Sequence, residues 1–272
     1  MRILTALAAL ACAAAPLAAQ SKPAAKPATP KTAAAKKAAA AHDSMHAAIK
    51  VSHDSMHAEM KGMSHDSMHA GMKGMQHDDH DMAVAGGGTL PGGWAGRTDG
   101  AATALANVKF APMGAGLHLT LGPATILWRD SDAMNGHFHT LAKFTQTKAP
   151  THPEGYGLFV GGKALNGEGQ KYIYFLVRGD GVYLIKKRDG ANTSVVQNWT
   201  ASPAVNKADA AGKATNLLEV STATAGKLMF KVNGQEVYSM DVNAGDVNGA
   251  IGIRANHNLD LHIDDFGVHK IS

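Results

Sequence analysis

Between residues 94 and 272, apolar and polar residues alternate with a period of two, which is typical of β-strands with one buried face. Leu117, Leu119 and Leu121, for example, alternate with His118 and Thr120. Helical periodicity is almost absent from this stretch. The pattern predicts strands at residues 117–121, 124–129, 137–145, 156–160, 172–177, 182–185, 194–199, 217–220, 228–232, 236–240, 250–254 and 259–263.

Turn residues separate these strands at two diagnostic places. Asp180-Gly181 and Asn233-Gly234 each stand between two β-prone runs, and such dipeptides tolerate the positive φ of a tight hairpin turn. Many short strands joined by Gly, Asn and Asp turns predict an all-β fold. We expect a two-sheet antiparallel jelly-roll sandwich over residues 86–272.

The first 85 residues divide into three regions of different composition. Residues 1–19 begin with Met1-Arg2, continue as an apolar run and end in small residues, which predicts a cleavable signal peptide and a periplasmic or secreted protein. Residues 20–41 are rich in Lys, Ala and Pro and predict a disordered linker. Residues 42–85 are a His/Met-rich repeat segment. No later stretch is apolar for long enough to predict a transmembrane helix.

Cysteine and charge add two limits. Cys12 is the single cysteine and lies inside the signal segment, where the surrounding residues match a lipidation motif poorly, so we expect no lipid anchor and no disulfide. The formal charge is +4, and five lysines fall within residues 21–41 without an acid. A basic spacer of this kind fits an anionic envelope polymer, and we find no nucleic-acid-binding module.

The repeat segment carries the strongest chemical signal. His-Asp-Ser-Met-His occurs three times, and a degenerate fourth copy follows. Imidazole and thioether together suit Cu(I), whereas imidazole with a carboxylate suits Cu(II), Ni(II) or Zn(II). The predicted metal ligands are His42, Met45, His46, His53, Met56, His57, His65, Met68, His69, His77, His80 and Met82.

This segment resembles the His/Met-rich stretches of periplasmic copper-handling proteins in composition and in the His-x-x-Met-His spacing. The resemblance implies copper or another transition metal as the cofactor. The alternative is a polar linker that contains His and Met without using them. Eight His and eight Met lie between His42 and Met82. They favour metal binding, because the apolar Met side chain is unfavourable in a solvated tail unless its sulfur binds a ligand.

The remaining chain resembles the concanavalin A-like lectin/glucanase sandwich, specifically the DUF1080 group labelled 3-keto-disaccharide hydrolase. The matching stretches are residues 155–162, 172–181, 216–220, 230–234, 249–253 and 263–266. They consist of hairpin tips and core strands, so they speak for the fold more than for an activity. The resemblance implies carbohydrate as the ligand class.

One departure from the superfamily concerns catalysis. Its retaining glucanases carry a Glu-x-Asp-x-x-Glu strand whose carboxylates supply nucleophile and acid, and this chain has no such strand. The nearest substitute is Asp130-Ser131-Asp132, which a turn after the preceding strand explains equally well. The catalytic residues therefore stay unknown at this point.

Four residues of the domain are candidate ligand contacts. His137 and His139 would share one face of a strand and could form half of a metal site or bind a sugar. Trp128 and Tyr156 could stack on sugar rings, although aromatic residues in strands more often belong to the core. Asp264-Asp265 is a candidate calcium site, with a pair of loop carboxylates as the alternative.

Three functions fit these observations. The first is an exported protein with a copper-type metal-binding tail and a non-catalytic sandwich that binds a glycan or a surface. The second is a hydrolase acting on 3-keto or otherwise modified glycosides. The third is a structural protein of the envelope whose basic linker is a spacer.

Overall fold

The computed structural model describes residues 80–100 and 104–271. The predicted signal peptide, the predicted linker and ten of the twelve predicted metal ligands lie outside the described residues. His80 and Met82 lie within them. No helix in the described ranges is both long and apolar enough to span a membrane.

Fourteen strands form the domain. They are β1 (Trp94–Thr98), β2 (Val108–Met113), β3 (Gly116–Leu121), β4 (Thr125–Arg129), β5 (Phe138–Gln146), β6 (Gly155–Lys163), β7 (Lys171–Arg178), β8 (Val182–Asp189), β9 (Asn192–Ala201), β10 (Ala214–Ser221), β11 (Lys227–Val232), β12 (Gln235–Asp241), β13 (Ala250–Ala255) and β14 (Leu259–Lys270). Short 3-10 turns cover Ala104–Asn107 and Asp130–Asp132, and one helical turn, α1, covers Ala244–Val247.

The strands build two antiparallel sheets of seven strands each. The first sheet has the order β1-β4-β13-β6-β7-β8-β9, and the second has the order β12-β11-β10-β5-β14-β3-β2. Their inner faces pack together around Phe144, Tyr156, Phe175 and Phe230, all of which are buried. The structure thus confirms the predicted all-β, two-sheet antiparallel sandwich.

The first sheet is also apolar on its outer face. In β7, for example, Ile173 and Phe175 face the second sheet, while Tyr172 and Tyr174 belong to a separate outer cluster. Successive side chains of a strand point to opposite faces, so the central strands β13, β6 and β7 of this sheet are buried on both sides. The outer cluster consists of Ile126, Trp128, Phe159, Leu165, Tyr172, Tyr174, Leu176, Leu184 and Ala250. It forms the base on which the candidate site is built.

The last residues of the repeat segment already contact the sandwich. The Met82 amide donates to the Asn258 side chain at 2.8 Å, and the Asn258 amide donates to the His80 carbonyl at 3.3 Å. Asp81 pairs with His257 at 2.7 Å. Contacts with the domain therefore include His80, which lies six residues before the predicted boundary at residue 86, near the turn that joins β13 to β14.

Candidate functional site

A loop between β6 and β7 covers part of the outer cluster, and we call residues 164–170 the covering loop. Leu165 packs into the cluster and is nearly buried. Arg97 in β1 fixes the loop, because its Nη1 donates to the carbonyls of Leu165 and Gly167 at 3.2 and 2.6 Å. An arginine presents several donors in a rigid plane, so one side chain can hold two carbonyls at once.

An ion pair lies beside this loop. Both terminal nitrogens of Arg254 donate to the carboxylate of Asp99, at 2.5 and 2.6 Å. Arg254 is only 5% exposed, and its guanidinium lies 5.6 Å from the centre of the Tyr174 ring. Burial raises the pKa of Asp99, but the hydrogen bonds and charge of Arg254, aided by Arg188 and His257, bring that pKa below its ordinary value. Asp99 is therefore ionised and fixed at neutral pH.

These elements enclose an open cavity of about 740 Å³, which we call the arginine cavity. Its size falls within the range of small-molecule sites. Gln170, at the end of the covering loop, is 2% exposed, and its Oε1 atom has no hydrogen-bond partner in the described chain. The cavity is lined by Arg97, Asp99, Gly100, Asn166, Gly167, Glu168, Gln170, Arg188, Gly190 and Ala191. Its lining combines the donors of two arginines with one unpaired acceptor, the Gln170 oxygen.

A smaller cavity of about 320 Å³ lies on the other side of Asn166 and Gly167, and Trp128 and Asp130 contribute to its wall. The Trp128 indole donates to Asp130 at 3.1 Å. Asp130 begins the 3-10 turn Asp130–Asp132, which confirms the prediction that Asp130 and Asp132 belong to a turn after the strand. Trp128 is 2% exposed and belongs to the outer cluster, where it supports the cavity wall more than it offers a free stacking surface.

Tyr156 was predicted to contact a ligand, and the structure shows that this prediction is wrong. Its side chain is fully buried between the sheets, where its ring lies 5.8 Å from that of Phe144. Burial raises the pKa of Tyr156 to about 12, an effect that Asn216 partly offsets. Strand alternation turns this ring inward, so Tyr156 is a core residue and cannot contact a ligand at the surface.

His137 and His139 bind different partners on the second sheet. The His137 ring nitrogen Nδ1 lies 2.6 Å from the Thr222 carbonyl. The Nε2 atom of His139 lies 3.1 Å from Glu219, and its ring stacks on that of His269 at 6.4 Å. These two histidines are therefore not brought together on one ligand, and both lie away from the arginine cavity lining.

Other histidines and the Asp264-Asp265 pair on the second sheet have local partners. His118 and His262 face each other across β3 and β14 with ring centres 6.4 Å apart, but each contacts its own carboxylate, Asp260 or Asp264. Lys143 lies 3.3 Å from Asp264 and from Asp265, where calcium was predicted. Within residues 80–100 and 104–271, no three His, Cys, Asp or Glu side chains are grouped so that they could hold a metal ion.

The residues that form the arginine cavity were not predicted from the sequence. Arg254 stands between Ile253 and Ala255 in a predicted strand, which was a usable signal, because charged residues are rarely buried without a partner. Arg97 and Arg188 have polar or glycine neighbours and gave no such signal. Asp99 and Gln170 gave no comparable signal. Their placement depends on how two loops fold over the outer face of the first sheet.

No known protein family matches the chain, and no curated protein sequence matches it. Among solved structures, the chain is similar to a carbohydrate-binding module, CBM66, from Bacillus subtilis, with 12% identity over 65% of this chain and 96% of the module and a TM-score of 0.47. It is also similar to a β-glucanase from Bacillus licheniformis, with 10% identity over 68% and 95% of the two chains and a TM-score of 0.46.

Proposed function

We propose that this protein binds carbohydrate in the arginine cavity. The observation that carries the proposal is the buried Gln170 oxygen without a partner in the wall of an open polar cavity. This oxygen is covered in the ligand-free protein, so a ligand hydroxyl would reach it once the side-chain amide turns toward the cavity. The new hydrogen bond would recover the cost of about 1–3 kcal/mol that a buried, unpaired acceptor carries. A sugar hydroxyl donates one hydrogen bond and accepts others, so it matches the Gln170 acceptor and the Arg188 donors together.

Binding without catalysis fits the carboxylates of this region better than hydrolysis does. Hydrolysis of a glycoside ordinarily needs two carboxyl groups that flank the bond. Asp99 is held by Arg254, and Asp130 is held by the Trp128 indole. Glu168 is the remaining carboxylate of the cavity lining and lies on the exposed loop. Hydrolysis of 3-keto or otherwise modified glycosides stays a prediction, and no contact described in the cavity supports it.

The carbohydrate proposal is tested by titrating the full chain with oligosaccharides of mixed-linkage β-glucan, xylan and polygalacturonate in a calorimeter. We expect at least one to bind with a dissociation constant in the micromolar to millimolar range. Gln170→Leu should weaken that binding about tenfold, the equivalent of one hydrogen bond. Its free energy of unfolding should not fall, because the lost oxygen has no partner within the protein.

The matched control is Gln197→Leu, since the Gln197 amide contacts only Thr200 on the edge strand β9. This variant should bind like the parent chain. Absence of binding to every oligosaccharide, or equal affinity of the Gln170→Leu chain, would remove the carbohydrate proposal.

The proposal extends to the repeat segment, which we expect to bind copper or a similar transition metal outside the cytoplasm. Paired imidazole and thioether groups support metal binding, and the leader-like residues 1–19 support export. Residues His80 to Met82, which belong to the described part of the segment, contact Asn258 and His257 of the sandwich. Binding needs neutral imidazole, so affinity should fall below about pH 6.5.

The metal proposal predicts that the full chain takes up several equivalents of Cu(I) or Cu(II) at pH 7.5 with sub-micromolar affinity. A variant with Gln in place of six histidines, His42, His46, His53, His57, His65 and His69, should lose most of this uptake. Metal content after dialysis, measured by mass spectrometry, checks both chains. The control replaces His118, His139 and His262 of the sandwich and should keep full uptake; equal uptake by all three chains would refute the metal proposal.

A further inference from the structure

The three arginines around the cavity differ in how their charge is balanced. Arg254 is neutralised by the two-point ion pair with Asp99. Arg97 is 8% exposed and donates to the carbonyls of Thr98, Leu165 and Gly167, which are neutral acceptors. Among residues 80–100 and 104–271, no carboxylate pairs with Arg97. Its positive charge is therefore hydrogen-bonded but not compensated.

Arg188 is the arginine that remains available to a ligand. Its Nε donates to the Gly190 carbonyl at 2.6 Å, which fixes the plane of the guanidinium. Its Nη1 lies 3.9 Å from Asp99, too far for a hydrogen bond, and that carboxylate is already engaged by Arg254. In the described chain, neither terminal nitrogen of Arg188 donates a hydrogen bond. A pre-positioned guanidinium thus borders the cavity with its terminal donors unused.

The positive charge of the cavity wall is not fully balanced. The lining contains two arginines, Arg97 and Arg188, and two carboxylates, Asp99 and Glu168. Arg254, which is not part of the lining, already neutralises Asp99, and Glu168 lies on an exposed loop where solvent screens it. A partly buried excess of positive charge is unfavourable unless an anion balances it. The wall therefore fits a ligand that carries a negative group better than a neutral one.

We infer that the arginine cavity selects anionic saccharides, in which a uronate carboxylate or a sulfate ester lies against the terminal nitrogens of Arg188. The guanidinium binds such a group through two parallel hydrogen bonds, a geometry that lysine cannot reproduce. Gln170 then accepts from a neighbouring ring hydroxyl. This inference rests on the proposed carbohydrate binding and names its ligand class.

The test compares ligands that differ only in charge. The full chain is titrated with tetrasaccharides of polygalacturonate and of alginate, with their methyl esters, and with a chondroitin sulfate tetrasaccharide. We expect at least one acid to bind ten times more tightly than its ester, or the sulfated tetrasaccharide to bind ten times more tightly than its desulfated form. A difference in an acid–ester pair identifies the carboxylate as the bound group, and a difference in the sulfated–desulfated pair identifies the sulfate ester.

Variants of the cavity separate this site from the basic residues 21–41. Arg188→Gln should abolish the tenfold preference for the charged ligand, whereas Arg188→Lys, which keeps the charge but not the two parallel donors, should keep a preference of about threefold. Lys109→Gln, an exposed residue of β2 in the other sheet, makes the same charge change and should leave the preference intact. Circular dichroism establishes that each variant is folded.

Two results would overturn the inference: charged and neutral ligands bind alike, or Arg188→Gln retains the preference. If the neutral saccharides still bind in either case, the proposed carbohydrate binding stands without the charge selectivity. If no saccharide binds, both proposals fall together.

Discussion

The Trp128→Ala variant is expected to lose about 4 kcal/mol of its free energy of unfolding, as is typical when a large buried aromatic side chain is removed. Trp128 is almost fully buried in the outer cluster of the first sheet. Its removal leaves a void beneath Leu165, which packs in the same cluster and anchors the covering loop. Urea denaturation followed by circular dichroism measures the loss.

The control for this variant is Trp199→Ala. Trp199 only packs against the rim of the outer cluster, with Arg178 lying 4.5 Å from its ring centre, and it remains partly exposed. We expect a loss of about 1 kcal/mol. Equal losses for the two variants would mean that the outer cluster is not a second core.

The second large effect is expected for Asp99→Ala, which leaves the buried guanidinium of Arg254 without its carboxylate. Removing one partner of a fully buried ion pair costs about 3–5 kcal/mol. Asp99 is one-third exposed, so we expect about 3 kcal/mol, the lower end of this range. The Asp180→Ala variant is the matched control, because Asp180 also binds an arginine, Arg178, through two bonds but at the surface. It should lose about 1 kcal/mol or less.

The same ion pair predicts a pH dependence. The pKa of Asp99 is lower in the folded protein than in the unfolded chain, where a free Asp titrates near about 3.9. The stability contributed by the ion pair is therefore fully present above about pH 4 and is lost as the pH falls through the folded pKa. Denaturation curves between pH 7 and pH 2 should show that the Asp99→Ala chain loses less stability in this acid range than the parent. Parallel loss in both chains would contradict the assignment.

The strands and turns of this fold could be predicted from the sequence because each depends on the residues of its own short stretch. Asn233 and Gly234 have φ values of +50° and +79°, the conformation that the Asn-Gly turn was predicted to adopt between β11 and β12. The sequence did not reveal β1 and β2, which are edge strands of the two sheets. Gly96 and Pro112 interrupt their patterns, and proline is tolerated at an edge where its missing N–H is not needed.

The candidate site was harder to predict because the central strands of the first sheet are buried on both faces. The run at residues 172–177 is apolar throughout, so its pattern does not say which side chains face the second sheet and which face outward. For the same reason Tyr156 was assigned to a ligand although it lies in the inner core. The polar residues of the cavity come from separate strands and loops, and only the pairing of β1, β4 and β13 brings Arg97 and Arg254 onto the same sheet.

The attachment of residues 80–84 decides where the domain can be shortened. A chain that begins at residue 86 would lack the Met82 amide that binds Asn258 and the Val84 amide that binds Asn107. It would also expose Gly122, whose absent side chain leaves room for the Met82 backbone, since an added Cβ would lie 2.2 Å from the Met82 carbonyl oxygen. Trimming the repeat segment for crystallisation or for a protein fusion should therefore stop before His80. The shortened chain then keeps the contacts of residues 80–84 with the sandwich.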